Sequence, residues 1–384
     1  MPILKKQDFY NTFYQKDQIP DCYESISFGN QQDIFKQSVK KTQSKAYVIT
    51  LFPKYFGYKL SDNTLKINKI EQTNLDGFAI NLEGCETADQ YLQKNIKSKT
   101  RSPILRRIKR FESCFDVEYK LFFGAIEKEI YHRAMSTLKS MLELRFSQKD
   151  DSTEILEKWH QYHESTYDKI LNKEASLFIT YASGRMVAIS INYHINKVFI
   201  GHIFCYDITY SKFSLGNMMV YKLLEWCCEN DYLIMDMGNG DLEYKQIWCN
   251  NKYHYDYHFI HHKNSLAAIF ATSVQMGIIK LKNLLKTLKI DEAYKKLREN
   301  KSTASHPFEV FPEYKVEHMD ANNDKSRLLS PITLNHPNFD FLKKPVNDFL
   351  YLNKEHYSQL KIFQIDSKNF LLMGQQNTEK IILE

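Results

Sequence analysis

Two short polar segments carry residue types that could do chemistry. The first is Ser211-Lys212-Phe213-Ser214-Leu215-Gly216-Asn217, which stands at the start of a helical pattern running to about Asn230. Free backbone N–H groups at a helix start, with the positive end of the helix dipole behind them, hold a phosphate well. Gly216 would let the backbone approach such a ligand, Ser214 could cap or donate, and Lys212 adds charge. The same residues also make an ordinary helix cap, where serine is a preferred type. The second segment is Gly238-Asn239-Gly240-Asp241, followed by Tyr244, Lys245 and Trp248. A tyrosine can donate a proton, a lysine can hold negative charge, and an aspartate can accept a proton. Tyr244 is the donor candidate, Lys245 the charge, and Asp241 and Asp207 the acceptors. Asp241 equally suits a plain turn, Asp207 a strand end, and Tyr244 and Trp248 the packing surface of a sheet.

Two further groups bear on binding. Between Lys94 and Arg110 there are eight basic residues and no acid. Ile104, Leu105 and Ile108 are interleaved with them, which predicts an amphipathic helix starting near Pro103, where proline is tolerated. Its basic face is either solvated or an anion grip. His254, Asp256 and His258 alternate onto one strand face, but the ligand spacing characteristic of zinc is missing, and no metal is expected.

The elements that must position these residues follow from periodicity. Lys45–Pro53 reads as a strand, Leu65–Ile70 and Phe78–Leu82 as two weaker ones, and 87–96 as a short helix. After the basic helix comes a strand at 115–123, then a helix from residue 126. Three closely spaced strands at 176–181, 186–194 and 197–206 form an antiparallel meander with tight turns. The helix at 214–230, a strand at 232–237 and a last strand at 253–260 complete a β-β-β-α-β-turn-β order. A meander feeding one crossover helix predicts a mixed sheet in an α/β protein. Residues 263–384 shift in composition and read as a helical and β extension with a hairpin at 361–373.

The chain has 384 residues, is 43% hydrophobic and 14% aromatic, and carries a formal net charge of +6. It can therefore bury a large core, and its charge permits anionic ligands without demanding nucleic acid. Seven cysteines without a C-x-x-C pair argue against a disulfide framework. With no apolar leader at the N-terminus, the expected location is cytoplasmic. The apolar run Ser265–Ile279 is shorter than the ~20 residues a spanning helix needs. It reads as a core-packed helix, with membrane-surface contact over 265–285 as the alternative.

The ordered motifs resemble the GNAT acyltransferase superfamily, and within it the CelD-like branch first associated with cellulose biosynthesis, a relative of the Fem-type aminoacyltransferases. Lys99-Thr100-Arg101 with Arg106-Arg107 is similar to that branch's K-x-R…R-R helix. Phe204-x-Tyr206-Asp207 with Tyr210-Ser211 resembles its aromatic-x-Y-D…Y strand end, and Ser214-Leu215-Gly216 its S-P-G. Asp236-x-Gly238-x-Gly240-Asp241-x-x-Tyr244-Lys245-x-x-Trp248 resembles its closing motif. The resemblance implies a GNAT-like acyl-CoA N-acyltransferase fold, with two tandem GNAT-like halves as one arrangement. The divisions are 1–125 and 126–262, followed by the extension 263–384. It implies transfer of an acyl group, acetyl above all, from acyl-CoA to an amine or hydroxyl of a small molecule or sugar. Arg101, Arg106 and residues 211–217 would hold the acyl-CoA co-substrate. Leu215 stands where proline is usual, and the glycine-rich pyrophosphate loop of typical GNAT enzymes is missing. Two alternatives stay open: a Fem-type transferase using aminoacyl-tRNA, and a non-catalytic scaffold in a polysaccharide pathway.

Overall fold

The computed structural model describes residues 3–15, 18–28, 33–37, 44–147, 154–287, 312–319, 330–334 and 337–384. The chain opens with β1 (Leu4–Asp8), β2 (Tyr23–Phe28), β3 (Asp33–Lys36), β4 (Ala46–Pro53), β5 (Phe56–Leu60) and the long β6 (Leu65–Asn81). Helices α1 (Ala88–Asn95) and α2 (Ser98–Cys114) lead to β7 (Val117–Phe122). Then come α3 (Lys128–Ser147), α4 (Glu154–Glu157) and α5 (Trp159–Leu171). The meander is β8 (Ala175–Ala182), β9 (Arg185–Ile195) and β10 (Val198–Tyr206). A 3-10 turn at Ile208–Phe213 precedes α6 (Leu215–Glu229), β11 (Ile234–Asn239), α7 (Glu243–Trp248), β12 (Asn251–His262) and α8 (Leu266–Thr287). The remainder holds β13 (Tyr314–Met319), β14 (Ser330–Ile332), α9 (Lys343–Asn353), β15 (Lys361–Gln364), β16 (Asn369–Met373) and β17 (Thr378–Leu383).

Two compact units share this chain. One takes residues 1–95, 192–202 and 226–304; the other takes 96–191, 203–225 and 305–384. The division passes through β9, β10 and α6, so each unit gathers separated stretches, whereas the sequence division at 125 and 262 is linear.

In the first unit the strand order is β1-β4-β12-β6-β11-β10. The β1/β4 and β10/β11 pairs are parallel, and β4/β12, β12/β6 and β6/β11 are antiparallel, which makes the sheet mixed. A second sheet, β3-β2-β5, belongs to the same unit. Its core is aromatic: Phe9 packs on Phe52 with ring centroids 4.6 Å apart and on Phe13 at 5.0 Å. The two weak strands expected at 65–70 and 78–82 are one strand, β6. Its polar middle reads as a loop in the sequence, yet Glu71 and Asp76 pair with Asp256 and His254 of β12 across an irregularity in register.

That irregularity, and another between Asp256 and His258 against β4, break the alternation expected for His254, Asp256 and His258. His254 is half exposed beside Asp76 at 2.9 Å. His258 is buried, bonds Tyr23 Oη at 2.7 Å, and has its pKa pushed down to about 3 by burial. The three side chains therefore serve separate neighbours. Among the described residues no three His, Cys, Asp or Glu side chains group as metal ligands.

In the second unit the strand order is β10-β9-β8-β7. Every residue of β8 is buried, the mark of a strand covered on both faces, and α5 packs on it. Helix α2 begins at Ser98 rather than at Pro103. Burial of Ile104, Ile108, Phe111 and Cys114 along one stripe outweighs the single helical bond lost to the proline. The C-terminal strands form an antiparallel sheet, β13-β17-β16-β15-β14, which includes the expected hairpin as β15 and β16. Helix α9 packs on the 208–213 turn and on α2, so part of the supposed extension is core of this unit. Of the expected helical and β extension 263–384, residues 288–311, 320–329 and 335–336 lie outside the described ones.

Candidate functional site

Parallel strands β10 and β11 pair only from Val198–Ile200 to Ile234–Asp236, although both strands run on. Beyond that point their backbone polar groups need other partners. The last residue of β11 that pairs with β10, Asp236, is fully buried. Its Oδ1 accepts from the Gly238 N–H at 2.7 Å and from Tyr253 Oη at 2.8 Å, and its Oδ2 accepts from Tyr55 Oη at 2.5 Å. Tyr253 Oη also lies 3.0 Å from Tyr255 Oη. Gly238 adopts φ +70°, which turns its N–H back toward the carboxylate at no steric cost. A buried carboxylate is tolerable here because three donors converge on it. Burial and the charge of Asp236 together push the Tyr255 phenol well above its usual range.

The arrangement depends on a glycine opposite. A Cβ at Gly77 would fall 2.2 Å from the Tyr253 ring. Gly77→Ala is therefore expected to displace Tyr253 and destabilise the protein by about 1–3 kcal/mol, read as a lower urea midpoint.

The residues after the second polar segment form a short helix, α7, where a turn was expected. Helical spacing puts Lys245 and Trp248, three apart, on one inward side. Trp248 is fully buried and its carbonyl accepts from Tyr91 Oη at 2.6 Å. Lys245 is only 5% exposed, and its Nζ donates to the Asn239 carbonyl. Burial pulls the Lys245 pKa down, and the nearby Asp236 carboxylate opposes that shift. The Cys249 thiol is pushed up to about 12, first by burial and then by Asp236. Tyr244 is half-buried, one residue round the helix from Lys245, so the two side chains leave the axis in different directions. Asp241 is exposed and accepts from Gln246 Nε2 at 2.5 Å.

The remaining candidates lie in the second unit, where one of them, Asp207, lines a cavity of about 390 Å³. The end of β10 forms one wall with Tyr206, Asp207 and Tyr210, while Arg185, Lys343 and Tyr357 contribute polar groups from other stretches. Asp207 is a local cap: its Oδ1 accepts from the Thr209 N–H at 2.9 Å and from Thr209 Oγ1 at 2.7 Å. Arg185 Nη2 donates to Tyr357 Oη at 3.3 Å. The Arg145 guanidinium stacks 5.5 Å from the Tyr206 ring centroid.

The turn at 211–217 departs from its expected role in several places. Lys212 lies 3.7 Å from Asp348 of α9, so its charge is already answered. Asp348 also accepts from Lys344 and, at 2.7 Å, from Tyr314 Oη. Phe213 and Leu215 are core residues; Phe213 packs against Phe111, Phe115 and Tyr351. Ser211 accepts, through its carbonyl, from the Ser214 N–H. Ser214 is left-handed at φ +61°, and its Oγ accepts from Asn217 Nδ2 at 2.8 Å. A Cβ at Gly216 would meet the Tyr206 ring at 3.3 Å, so this glycine accommodates an aromatic neighbour. In the first turn of α6 the Asn217 and Met218 N–H groups donate to the Ser214 carbonyl, at 3.0 and 3.2 Å. In α2, Arg101 is half-buried with Nη1 3.5 Å from the Ile96 carbonyl, and Arg106 is exposed. Five positions apart on a helix, they stand some 140° from each other and do not form one grip.

Sequence reasoning missed Tyr55, Tyr253, Arg145 and Arg185. Asp236 stood inside a quoted motif without a role. Its signal was an aspartate in an otherwise apolar strand pattern, which is costly unless satisfied.

Residues 98–246 match the family model of the acetyltransferase (GNAT) domain. The mixed α/β fold is GNAT-like, as the motif order implied. Among solved structures, FemX is 8% identical with a TM-score of 0.41, covering 56% of this chain and 72% of its own. A conserved protein of unknown function from Bacteroides thetaiotaomicron is 12% identical with a TM-score of 0.40, covering 56% and 69%. A tandem GNAT protein from the clavulanic acid biosynthesis pathway is 8% identical with a TM-score of 0.31, covering 58% and 65%. No curated protein matches the chain.

Proposed function

We propose that the protein is an acyltransferase that moves an acyl group, acetyl above all, from a CoA thioester to an amine or hydroxyl acceptor. The observation that carries this reading is the family match over 98–246, which contains both the 211–217 turn and the Asp236–Lys245 segment. The proposed branch is the CelD-like one, on the motifs at 99–107, 204–216 and 236–248. The proposed location is the cytoplasm, where CoA thioesters are held.

Transfer needs an anchor for the donor's phosphates, a proton acceptor for the attacking group and stabilisation of the tetrahedral oxyanion. The start of α6 at Leu215 and Gly216 is the proposed phosphate anchor, and Arg145, stacked on the Tyr206 ring that neighbours Gly216, supplies charge beside it. The Asp236–tyrosine network takes up a proton, with Tyr55, half-buried, as its outer member. Lys245 holds developing negative charge, and Tyr244 protonates the leaving thiolate. Asp207 and Asp241 are assigned to local structure.

A thermal-shift series with CoA, acetyl-CoA and tRNA tests the donor. At a hundredfold excess over Kd a ligand adds about 2.7 kcal/mol of stability. Acetyl-CoA is expected to raise Tm, and Arg145→Ala to remove most of that rise. A shift with tRNA alone favours the Fem-type alternative; no shift with any of them favours the scaffold.

A further inference from the structure

Helix α8 has two unlike faces. Ala268 and Thr272 are buried, and the helix packs across β4, β6 and β12. This is the core helix the apolar run implied, but only by one face. The opposite face is apolar too. Leu266 is 83% exposed, Phe270 72% and Leu281 57%, with Val274, Ile278 and Leu285 exposed between and beyond them. At 100° per residue these six fall within one 120° arc. Half of the large hydrophobic side chains exposed among the described residues stand on this one helix. The arc is open as well as apolar: a Cβ placed on Gly277, within it, would meet nothing within 4 Å.

The charges beside the arc have one sign. Lys280 and Lys282 are exposed and project from its two borders, about 40° beyond each edge. Between Asp256 and Asp291 the sequence contains five lysines, Lys263, Lys280, Lys282, Lys286 and Lys289, and no acidic residue. A second copy of the chain laid on this face would set lysines against lysines with no carboxylate on the helix to answer them. A bilayer of anionic lipid answers both features, because its acyl region takes up the stripe and its headgroups pair with the flanking cations. The helix lies on such a surface rather than crossing it: no helix among the described residues is long and apolar enough to span a membrane.

We infer that the outer face of α8 docks the protein on an anionic membrane surface, with Leu266, Phe270, Val274, Ile278 and Leu281 inserted among the lipids. The inference stands apart from the acyltransfer reading and would survive its failure.

Co-sedimentation of the full chain with vesicles tests it. Vesicles of phosphatidylcholine are compared with vesicles containing roughly one-third phosphatidylglycerol. The protein is expected to sediment with the anionic vesicles, less so as salt rises, and weakly with the neutral ones. Phe270→Asp and Leu281→Asp, at exposed positions, should each weaken binding about tenfold, with circular dichroism confirming an unchanged fold. Lys280→Glu with Lys282→Glu touches no core residue and should abolish the preference for anionic lipid. Failure to sediment with anionic vesicles at low salt overturns the inference. So does binding that all four substitutions leave intact, or a dimer that Phe270→Asp disperses in the absence of lipid.

Discussion

Asp236→Ala is expected to lower the stability of the protein by about 3 kcal/mol or more, because it removes the acceptor that three donors share. The buried Gly238 N–H loses its acceptor, Tyr253 Oη loses the carboxylate and retains the Tyr255 hydroxyl at 3.0 Å, and Tyr55 Oη loses its bond at 2.5 Å. An unmet buried donor costs about 1–3 kcal/mol, while a bond removed together with its need costs nearer 1 kcal/mol. Tyr253→Phe removes a hydroxyl and its demand together, so it should cost about 1 kcal/mol. Asp236→Asn keeps one acceptor oxygen and should fall between them. Urea unfolding of the three variants gives the order. If Asp236→Ala unfolds at the wild-type midpoint, the carboxylate does not organise the tyrosines, and the proposed proton acceptor has no fixed environment.

This network shows where sequence reading stops. Strands β8, β9 and β10 were legible because each is a short apolar run bounded by turn residues, and α6 because its apolar positions recur at helical spacing. The tyrosines around Asp236 were not. Tyr55 lies 181 residues from it, and no local period encodes a hydrogen bond at that separation. Helix α7 was missed for another reason: six residues after a glycine-rich turn hold too few turns to show a period. The consequence was chemical, since as helix neighbours Tyr244 and Lys245 project differently, one at the rim and one inside. The counter-ion of Lys212, Asp348, was not legible because it comes from a segment with no motif of its own. A charged residue in a polar turn reads as available for a ligand until the chain that answers it is placed. The outer face of α8 was legible in part: its length excluded a span, but which of its apolar residues face solvent depends on what the sheet covers.

Lys245→Met is expected to lower turnover by about 10²-fold while keeping the fold, if the amine stabilises charge developing in the transition state. Methionine has similar length and fills the same buried space, so the loss isolates the charge. The substitution has a second readout that does not depend on activity. Burial lowers the Lys245 pKa below its ordinary 10.5, so the folded protein holds that proton less tightly than the unfolded chain. Below the folded-state pKa both states are protonated and the penalty for burying the charge is fully present. Between that pKa and 10.5 the unfolded state binds more protons, and stability rises with pH. Above 10.5 the penalty is gone. The wild type should therefore gain stability relative to Lys245→Met as pH rises through this window, with the difference constant on the acid side. Parallel stability profiles would mean that Lys245 keeps its full charge when folded, supported by Asp236 and the Asn239 carbonyl. A variant with altered pH dependence and full turnover would leave Lys245 a purely structural lysine and move the charge-stabilising role elsewhere along the β11–α7 segment.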